Sequence, residues 1–479
     1  MIVHADGKST VVQRCRCPAC GHCRKVVRRH RHAAKQNGNH APCTVVGQCI
    51  DVPPLVCTGH VKGVTSVVSV TGEYLHGCVR WHDVKNTTRR CRRFTGTMID
   101  LYDPLSLYNV IVTAVLAVLA GITTWNLFRF QRLARRPPTP SADAPRVSVM
   151  VPARNEERCV EACVTSLCEL DYPNLEVLVL DDGSTDATPA ILARLAARYP
   201  ERLRVLQGTS LPPDWVGKSW ACHTLSQHAT GDVLIFTDAD TVHGPLMAAA
   251  AVDQLQRARL DMFSMIPYEE METFFEHAVI PMVHLLYFAY LPNNLIHDSP
   301  RVSVSAANGQ FMCFRRTAYD ACGGHTAVHD SMVEDVFLAK AAKRAGLRIA
   351  LVDGTAHVSC RMYTSARAVV HGFSKNFFPA TNYNLPLTLF FIVHLLALYT
   401  APVAMLAGGV AWPLPVVQLA LAGYMRLAIA LRCRMPLWHA LLQPVTAVLA
   451  AAIGANSIRW AYSSTGPRWK GRSYAFQRR

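Results

Sequence analysis

The sequence predicts an α/β protein with a mostly parallel sheet and with transmembrane helices at both ends of the sheet region. Three apolar runs each stop abruptly at polar residues, as strands do when both faces of a sheet are covered. A stretch rich in Ala, Leu and Arg between the second and third runs has the composition of a crossover helix. Uncharged stretches before and after this region are long enough to cross a bilayer.

The three strands are expected to run in parallel, because strand, helix and strand in this order form a parallel unit. They begin near Arg146, Val177 and Val233, and helices are predicted over 157–168 and 186–198. Ligands of such sheets bind beyond the carboxyl ends of the strands. The polar residues that follow the strands should therefore share one rim.

Acidic residues stand at two of these strand ends. Asp181 and Asp182 follow the second strand, and Asp238 and Asp240 follow the third. Two acids separated by one residue also occur in solvated turns, but at a strand end they can hold a divalent cation. Carboxylate oxygens favour Mg²⁺ or Mn²⁺. Such a cation can neutralise the charge of a leaving diphosphate.

The composition indicates a membrane protein. The 479 residues are 51% hydrophobic, with a mean hydropathy of +0.15. Residues 105–128 are 24 residues without a charge, and arginines follow at 129, 132, 135 and 136. By the positive-inside rule, the carboxyl end of this span faces the cytoplasm. The Pro-rich residues 137–141 then form a stiff spacer before the sheet.

Three more apolar segments follow the sheet, at 385–408, 412–431 and 437–462. If all three spanned the membrane, the basic tail would lie outside, against the charge rule. Either the last segment is re-entrant or interfacial or the rule fails at this end, and we favour the former. The segment 274–296 is apolar but interrupted by charges and prolines, so an interfacial position is expected there as well.

Four motifs together resemble the family 2 glycosyltransferases of the GT-A fold. They are Pro152-Ala-Arg-Asn155-Glu156, Asp181-Asp182-Gly-Ser, Asp238-Ala-Asp240 and Glu334-Asp335, each at a strand end or a helix start. Over most of 98–474 the chain is similar to bacterial membrane-bound glycosyltransferases associated with hopanoid and carotenoid pathways. This closer likeness is carried by Leu211-Pro-Pro-Asp-Trp215-Val-Gly217-Lys218, Ala307-Asn308-Gly309-Gln310-Phe311, Ala318-Tyr319 with Gly323-Gly324-His325, Arg361-Met-Tyr363 and Trp469-Lys-Gly-Arg472-Ser-Tyr474.

The resemblance implies a site for a nucleotide sugar and a metal ion. Asp240, with Asp238, would bind Mg²⁺ or Mn²⁺, and Asp182 would contact the base or ribose. A helix cap for Asp182 and a solvated side chain for Lys218 are the alternatives. The implied donor-binding residues are Pro152, Asn155, Glu156, Asp181, Asp182, Gly217, Lys218 and Asp238.

The resemblance places the acceptor chemistry in the second half of the domain. Asp335, with Glu334 beside it, would accept the acceptor's proton in inverting transfer, although an acidic pair at a helix start is also a common cap. Residues 308–310 would form part of the pocket wall, with a plain turn as the alternative. The tail at 469–474 would close the donor site, with membrane anchoring as the alternative. The implied wall residues are Asn308, Gly309, Gln310, Arg361, Trp469 and Arg472.

The implied activity is inverting, metal-dependent transfer of a hexose, UDP-linked, to a membrane lipid such as a hopanoid or carotenoid. No Gln-x-x-Arg-Trp run follows Asp335, which disfavours processive synthesis. A sphingolipid-type or polysaccharide-building transferase is the alternative within the family. A catalytically silent membrane scaffold is the alternative outside enzymes, although Asp240 and Asp335 are both present. The expected partners are the donor and the lipid, without nucleic acid, at the inner membrane with a cytoplasmic catalytic domain.

The first 97 residues differ from the rest of the chain. They carry 16 Lys or Arg, 4 Asp or Glu and 9 of the 17 Cys. The spacing Cys15-x-Cys17-x2-Cys20-x2-Cys23 is irregular for zinc and lacks a second knuckle. An over-extended reading frame or disordered tail is favoured over a metal-binding module or a basic arm. The expected division of the chain is 1–97, a first span with its flanks at 98–136, a linker at 137–145, the catalytic domain at 146–384 and the C-terminal membrane region at 385–479.

Overall fold

The computed structural model describes residues 103–409 and 413–463 with their side chains, together with shorter pieces at 2–5, 8–15, 23–28, 47–48, 56–57, 468–470 and 472–473. The chain divides into two compact units, Met1–Ile99 and Asp100–Arg479. In the first unit the described backbone forms a three-stranded antiparallel sheet and a two-stranded pair. Its strands are β1 (Ile2–Ala5), β2 (Lys8–Cys15), β3 (Cys23–Arg28), β4 (Gly47–Gln48) and β5 (Val56–Cys57). The cysteine side chains of the zinc hypothesis lie outside the described residues.

A seven-stranded sheet forms the centre of the second unit, in the order β14-β11-β13-β9-β6-β7-β8. Every neighbouring pair is parallel except the two made by β13. Its strands are β6 (Val147–Ala153), β7 (Leu175–Asp181), β8 (Leu203–Gln207), β9 (Val233–Thr237), β11 (Met262–Ile266), β13 (Phe311–Arg315) and β14 (Ile349–Asp353). The predicted α/β class with a mostly parallel sheet is confirmed.

Helices cover both faces of this sheet, and two hydrophobic clusters fill the space on either side of it. The predicted helix over 157–168 begins later, at Val160, because a turn follows Glu156. The helices of this region are α2 (Val160–Cys168), α3 (Thr188–Arg198), α4 (Gly217–His228), α5 (Met247–Arg257), α6 (Phe274–Val279), α7 (Pro281–Ala289), α8 (Asn293–Asp298), α9 (Arg316–Ala321), α10 (Glu334–Arg344) and α11 (Ala366–Ala380). The segment 274–296 is thus built from short helices.

Strand register brings the polar strand ends together. Ala153 of β6 pairs with Asp181 of β7, and Met150 of β6 pairs with Phe236 of β9. The ends of all three strands therefore lie side by side at one rim. A small second sheet closes this rim, in the order β10-β15-β12. Its strands are β10 (Thr241–His243), β12 (Tyr268–Glu269) and β15 (Val358–Cys360).

Four helical segments of the described chain are long and apolar enough to cross a membrane. The first is α1 (Pro104–Arg129), and the second, Leu385–Ala407, joins α12 (Leu385–Leu395) to α13 (Ala401–Ala407) through a π-helical turn. The third is α14 (Pro413–Arg432). The fourth, Leu437–Ala461, combines a 3₁₀ helix at Leu437–Leu442 with α15 (Gln443–Ala461). The prediction of apolar helices before and after the sheet is confirmed.

Polar contacts join two of the apolar helices to each other and to the seven-stranded sheet. Gln418 of α14 donates to the carbonyl of Asn109 in α1 at 3.1 Å, which joins these two helices. Arg432, at the end of α14, forms an ion pair with Asp353 at the end of β14. Arg132, just after α1, contacts the same carboxylate at 3.5 Å. Both helices therefore end against one edge of the sheet.

Candidate active site

Asp238 and Asp240 lie where β9 ends and β10 begins, as the sequence predicts. The carbonyl of Gln310 accepts a hydrogen bond from the Asp238 amide at 3.3 Å, which links this turn to the start of β13. One carboxylate oxygen of Asp240, Oδ1, is buried without a hydrogen-bond partner among the described residues. Burial, with Asp238 and Glu156 nearby, raises the pKa of Asp240 to about 7. The Asp240 carboxylate is thus poorly compensated by the protein alone.

Lys218, in the first turn of α4, connects the two acidic motifs. Its ammonium contacts Asp238 Oδ1 at 2.7 Å and Glu334 Oε1 at 2.8 Å. Burial alone would lower the pKa of Lys218, but the two carboxylates outweigh it and hold that pKa well above its ordinary value. The same contact lowers the pKa of Glu334 against the opposing effect of burial. Lys218 is therefore a half-buried lysine with two ion pairs, and Gly217 before it begins the helix.

Asp335 lies across from Lys218, in the first turn of α10. Its Oδ2 accepts a hydrogen bond from the Gly309 amide at 2.8 Å, whereas the helix N-cap position is Val333, without a side-chain cap. Burial and the neighbouring Glu334 raise the pKa of Asp335 to about 6. A carboxylate with this pKa can accept a proton near neutral pH. Its Oδ1 accepts a hydrogen bond from the Val336 amide at 2.8 Å, so Asp335 joins the start of α10 to the Gly309 loop.

The segment Asn308-Gly309-Gln310 forms the wall between the two motifs. Asn308 Nδ2 donates to Gln310 Oε1 at 2.7 Å, and Gln310 itself is buried. A Cβ at Gly309 would lie 3.3 Å from both Lys218 Nζ and Asp335 Oδ2. A side chain there would crowd both groups. This position therefore favours glycine because of close approach rather than because of an unusual φ.

The ends of β6 and β7 form the rest of the rim. Asn155 Oδ1 accepts from the Thr185 amide at 2.8 Å, which ties the two strand-end loops together. Asp181 is buried, and its Oδ1 accepts from the Ser184 amide at 3.0 Å, so this carboxylate supports the Gly183 turn. Asp182 lies 3.9 Å from the Arg154 guanidinium. Pro152 lines a narrow crevice that also includes Lys218, Asp238, Gly309 and Glu334.

The C-terminal tail reaches this rim. Lys470 Nζ contacts Glu156 Oε1 at 2.7 Å and donates to the Asn155 carbonyl at 3.1 Å. Arg154 in turn donates to the carbonyl of Lys470 at 2.9 Å. Trp469 and Arg472 belong to the short strands β16 (Arg468–Trp469) and β17 (Arg472–Ser473), and their side chains lie outside the described residues. The contribution of Lys470 was not predicted from the sequence, because a basic tail residue carries no local signal for its partner.

Two further cations lie near the acidic residues, of which only Arg361 was predicted. The Arg361 amide donates to the Asp240 carbonyl at 3.4 Å, and its guanidinium contacts Glu272 at 2.7 Å and Glu276 at 3.8 Å. Lys375 of α11 interacts electrostatically with Glu334 and Asp335, and burial lowers its pKa to about 8. Lys375 was missed by the sequence interpretation. The amphipathic pattern of α11 shows which face is buried but not what that face meets.

Two buried groups next to Asp240 were also missed. Glu269 and Thr241 pair in register with Cys360 from opposite sides of β15. Burial raises the pKa of Glu269 to about 8, and its Oε2 has no hydrogen-bond partner among the described residues. Burial also raises the pKa of Cys360 well above its ordinary value. No local pattern marks these residues, because a two-residue strand is too short for a hydrophobic period.

The donor set fits a hard divalent cation. Asp238 and Asp240 offer carboxylate oxygens, and Oδ1 of Asp240 needs a partner. Within the described residues, no three His, Cys, Asp or Glu side chains are grouped to hold a metal ion by themselves. A separate cavity of about 300 Å³ lies at the junction of α1, α8 and β14, and shares no residue with this site.

Comparison with known proteins agrees with this geometry. Residues 148–323 match the model of glycosyl transferase family 2. The 4,4'-diaponeurosporenoate glycosyltransferase of Staphylococcus haemolyticus is 28% identical over 233 residues, covering 48% of this chain and 60% of the relative. The beta-monoglucosyldiacylglycerol synthase of Nostoc sp. is 32% identical over 184 residues, 38% of each chain. The chain thus spans less than two thirds of the length of these curated relatives.

Among solved structures, a mannosyltransferase from Pyrobaculum calidifontis in complex with GDP-Man and Mn²⁺ aligns with 74% of this chain and 93% of its own, at 22% identity and a TM-score of 0.42. The family match includes the strand ends that carry Asn155, Asp182 and Asp240, and it stops before Asp335. The resemblance to the family 2 glycosyltransferases is confirmed for three of the four motifs: residues 148–323, which match the model of glycosyl transferase family 2, include Asn155, Asp182 and Asp240 with their motifs, whereas Glu334-Asp335 lies outside the matched range.

Proposed function

We propose that the protein is a membrane-attached, inverting glycosyltransferase that moves a hexose from a nucleotide diphosphate sugar, UDP-linked, to a hydroxyl or carboxylate of a membrane lipid. The observation that carries this proposal is the convergence of two acidic motifs on one lysine. Asp238 and Glu334 come from separate elements, and both contact Lys218. This arrangement gives one rim a place for a diphosphate and a place for a proton acceptor.

The roles divide by position along the rim. Asp238 and Asp240 would hold Mg²⁺ or Mn²⁺, which supplies a Lewis acid for the departing diphosphate. Asp335 accepts the proton of the acceptor hydroxyl. The hydroxyl oxygen of the acceptor then forms a bond to the anomeric carbon of the sugar, and the bond from that carbon to the diphosphate breaks. Because Gly309 donates to Oδ2 of Asp335, the carboxylate is held in one orientation. Its other oxygen, Oδ1, accepts a hydrogen bond from the Val336 amide at 2.8 Å.

A lipid acceptor is supported by the apolar helices and by the names of relatives. Four described segments are long and apolar enough for a membrane, and α14 ends against the catalytic sheet through Arg432 and Asp353. The relatives are named for a diaponeurosporenoate and for a glucosyldiacylglycerol. An acceptor held in the membrane would meet the soluble donor at the boundary between the two regions.

The test is release of nucleotide from a panel of nucleotide sugars by the purified full chain, with and without lipid acceptors. We expect UDP release to depend on lipid and on divalent cation. Asp240→Asn should lower turnover on the order of 10²-fold or more, because it weakens the only charge stabilisation proposed for the leaving group. The matched control is Asp143→Asn, an exposed turn residue. Full activity in Asp240→Asn, or in chelator, would exclude the metal assignment.

A further inference from the structure

Arg426 of α14 has an unusual environment. Its side chain is 1% exposed and is the bulkiest of the fully buried side chains in the described part of the chain. Nη1 and Nη2 have no hydrogen-bond partner among the described residues, and Nε makes a long contact of 3.4 Å to the His439 carbonyl. A buried guanidinium without an anion is strongly destabilising. Some group must therefore compensate this charge.

Among the described residues, no carboxylate contacts the Arg426 guanidinium. No Asp or Glu follows Asp353 in the remaining 126 residues. Asp353 is already shared by Arg432 and Arg132. Among the described residues, no ion pair includes Arg426. The compensating anion is therefore expected to come from outside the polypeptide.

Three more buried polar side chains, on helical segments that pack against α14, have unused hydrogen-bonding atoms. They are Nδ1 of His439, both ring nitrogens of His284 and Oε1 of Gln443, and each residue is at most 2% exposed. His284 lies within electrostatic reach of Arg426 and of His439. His439 uses its other nitrogen to contact His277 at 2.8 Å. We call Arg426, His284, His439 and Gln443 the Arg426 cluster.

The position of the cluster suits a lipid headgroup. Arg426 precedes Arg432 by six residues, or about 9 Å along a helix, so it lies just inside the end of α14 that meets the catalytic sheet. The neighbouring 3₁₀ helix exposes Leu437 (53%) and Leu441 (80%), which offer an apolar surface for acyl chains. An ionisable residue buried inside membrane helices is usually a functional site.

We propose that the Arg426 cluster binds the anionic headgroup, phosphate or carboxylate, of a membrane lipid. The guanidinium would bind it through two parallel hydrogen bonds, and the histidines would donate further ones. This inference goes beyond the proposed transferase activity, since it concerns binding and can be tested on protein that has no donor. Failure of the transferase assay would leave it standing.

The experiment measures lipid binding and thermal stability of the full chain in detergent. Phosphatidylglycerol should bind with a defined stoichiometry and raise the unfolding temperature, whereas phosphatidylcholine of the same chain length should do neither. Arg426→Gln should weaken phosphatidylglycerol binding at least about tenfold, the usual effect of losing a charge-assisted hydrogen bond. Arg426→Lys should retain part of it, because charge remains while the planar pair of donors is lost.

The matched control is Arg459→Gln, because Arg459 is an exposed arginine of α15 that contacts only its own helix neighbour Asn456 among the described residues. It should bind phosphatidylglycerol as the unaltered chain does. If Arg426→Gln does not fold, two measurements test the proposal in its place. They are phosphatidylglycerol binding by Arg426→Lys and the binding of the two lipids by the unaltered chain. Equal binding of the two lipids, or equal phosphatidylglycerol binding by folded Arg426 variants, would overturn the proposal. If inorganic phosphate stabilised the chain as much as phosphatidylglycerol does, the bound anion would not need to be part of a lipid, and the lipid assignment would be wrong.

Discussion

Individual residues at the rim differ in how fully the protein satisfies their polar atoms. Asp181 supports a turn through the Ser184 amide, whereas Asp240 has a buried oxygen without a partner among the described residues. Lys218 is the central cation, and its side chain is 34% exposed, so its ion pairs are partly screened by solvent. We therefore expect Lys218 to contribute little to the free energy of folding and mainly to hold Asp238 and Glu334 close to each other.

Asp335→Asn tests the proton acceptor. Asparagine keeps the size of the side chain but accepts no proton, so donor binding should survive while turnover falls by roughly 10²-fold or more. A helix cap would behave differently, because asparagine is itself a good cap. Ser365→Ala, which removes a true cap from α11, provides the comparison and should cost about 1 kcal/mol of stability. Normal turnover of Asp335→Asn would mean that another group is the base.

The pH dependence of kcat/KM reports the same residue. Because burial raises the pKa of Asp335 to about 6, its proton-accepting form accumulates as pH rises through 6, and kcat/KM should fall as pH drops below that value. The stability contribution has the opposite sign. A raised carboxyl pKa stabilises the fold below the ordinary value of 3.8, and this contribution is lost as pH rises through about 6. Activity lost at pH 5 in folded protein would thus indicate titration, and a flat profile between pH 5 and 7 would contradict it.

At the scale of elements, the segment Leu437–Ala461 is the informative one. Before it, Arg432 pairs with Asp353 at the end of β14, and after it, Lys470 contacts Glu156 at the rim formed by the ends of β6 and β7. Both flanks therefore contact the same catalytic region. These contacts support the prediction that this segment is re-entrant or interfacial rather than a full span.

Cysteine labelling tests this arrangement. Ser463→Cys, at the exposed end of the segment, should react with a membrane-impermeant maleimide only from the side of the catalytic domain. Ala407→Cys, at the exposed end of α13, should react only from the opposite side. Seven of the eight cysteines between residues 103 and 463 are buried, and the unaltered chain serves as the background control. Labelling of Ser463→Cys from the side of the membrane opposite to the catalytic domain would contradict the prediction.

At the scale of the whole molecule, the first unit and the enzyme are separable in sequence. Residues 1–97 hold most of the excess positive charge and half of the cysteines, and the family match begins at residue 148. Most of this segment lies outside the described residues, so its predicted roles stay predictions.

A chain that starts at Met98 should insert into membranes and turn over substrate like the full chain. The comparison is a chain that starts at residue 146 and lacks α1, whose Asn126 donates to the carbonyls of Phe288 and Leu291. This second chain should lose stability, because those contacts join α1 to the catalytic region. Normal insertion of the Met98 chain with loss of turnover would show that the first 97 residues take part in catalysis.

The sequence alone determined the local features of this protein. Apolar runs that end in Asp182 and Asp240, and uncharged stretches of span length, are signals within a few consecutive residues, and the strands and helices follow them. Tertiary structure decided which side chains meet. Lys218 contacts both Asp238 and Glu334, and Lys470 contacts Glu156, although these residues are far apart in the chain. Packing likewise leaves the Arg426 guanidinium buried without an ion pair among the described residues. Such contacts depend on how elements pack, and no periodicity in the sequence encodes the partner of a single charged side chain.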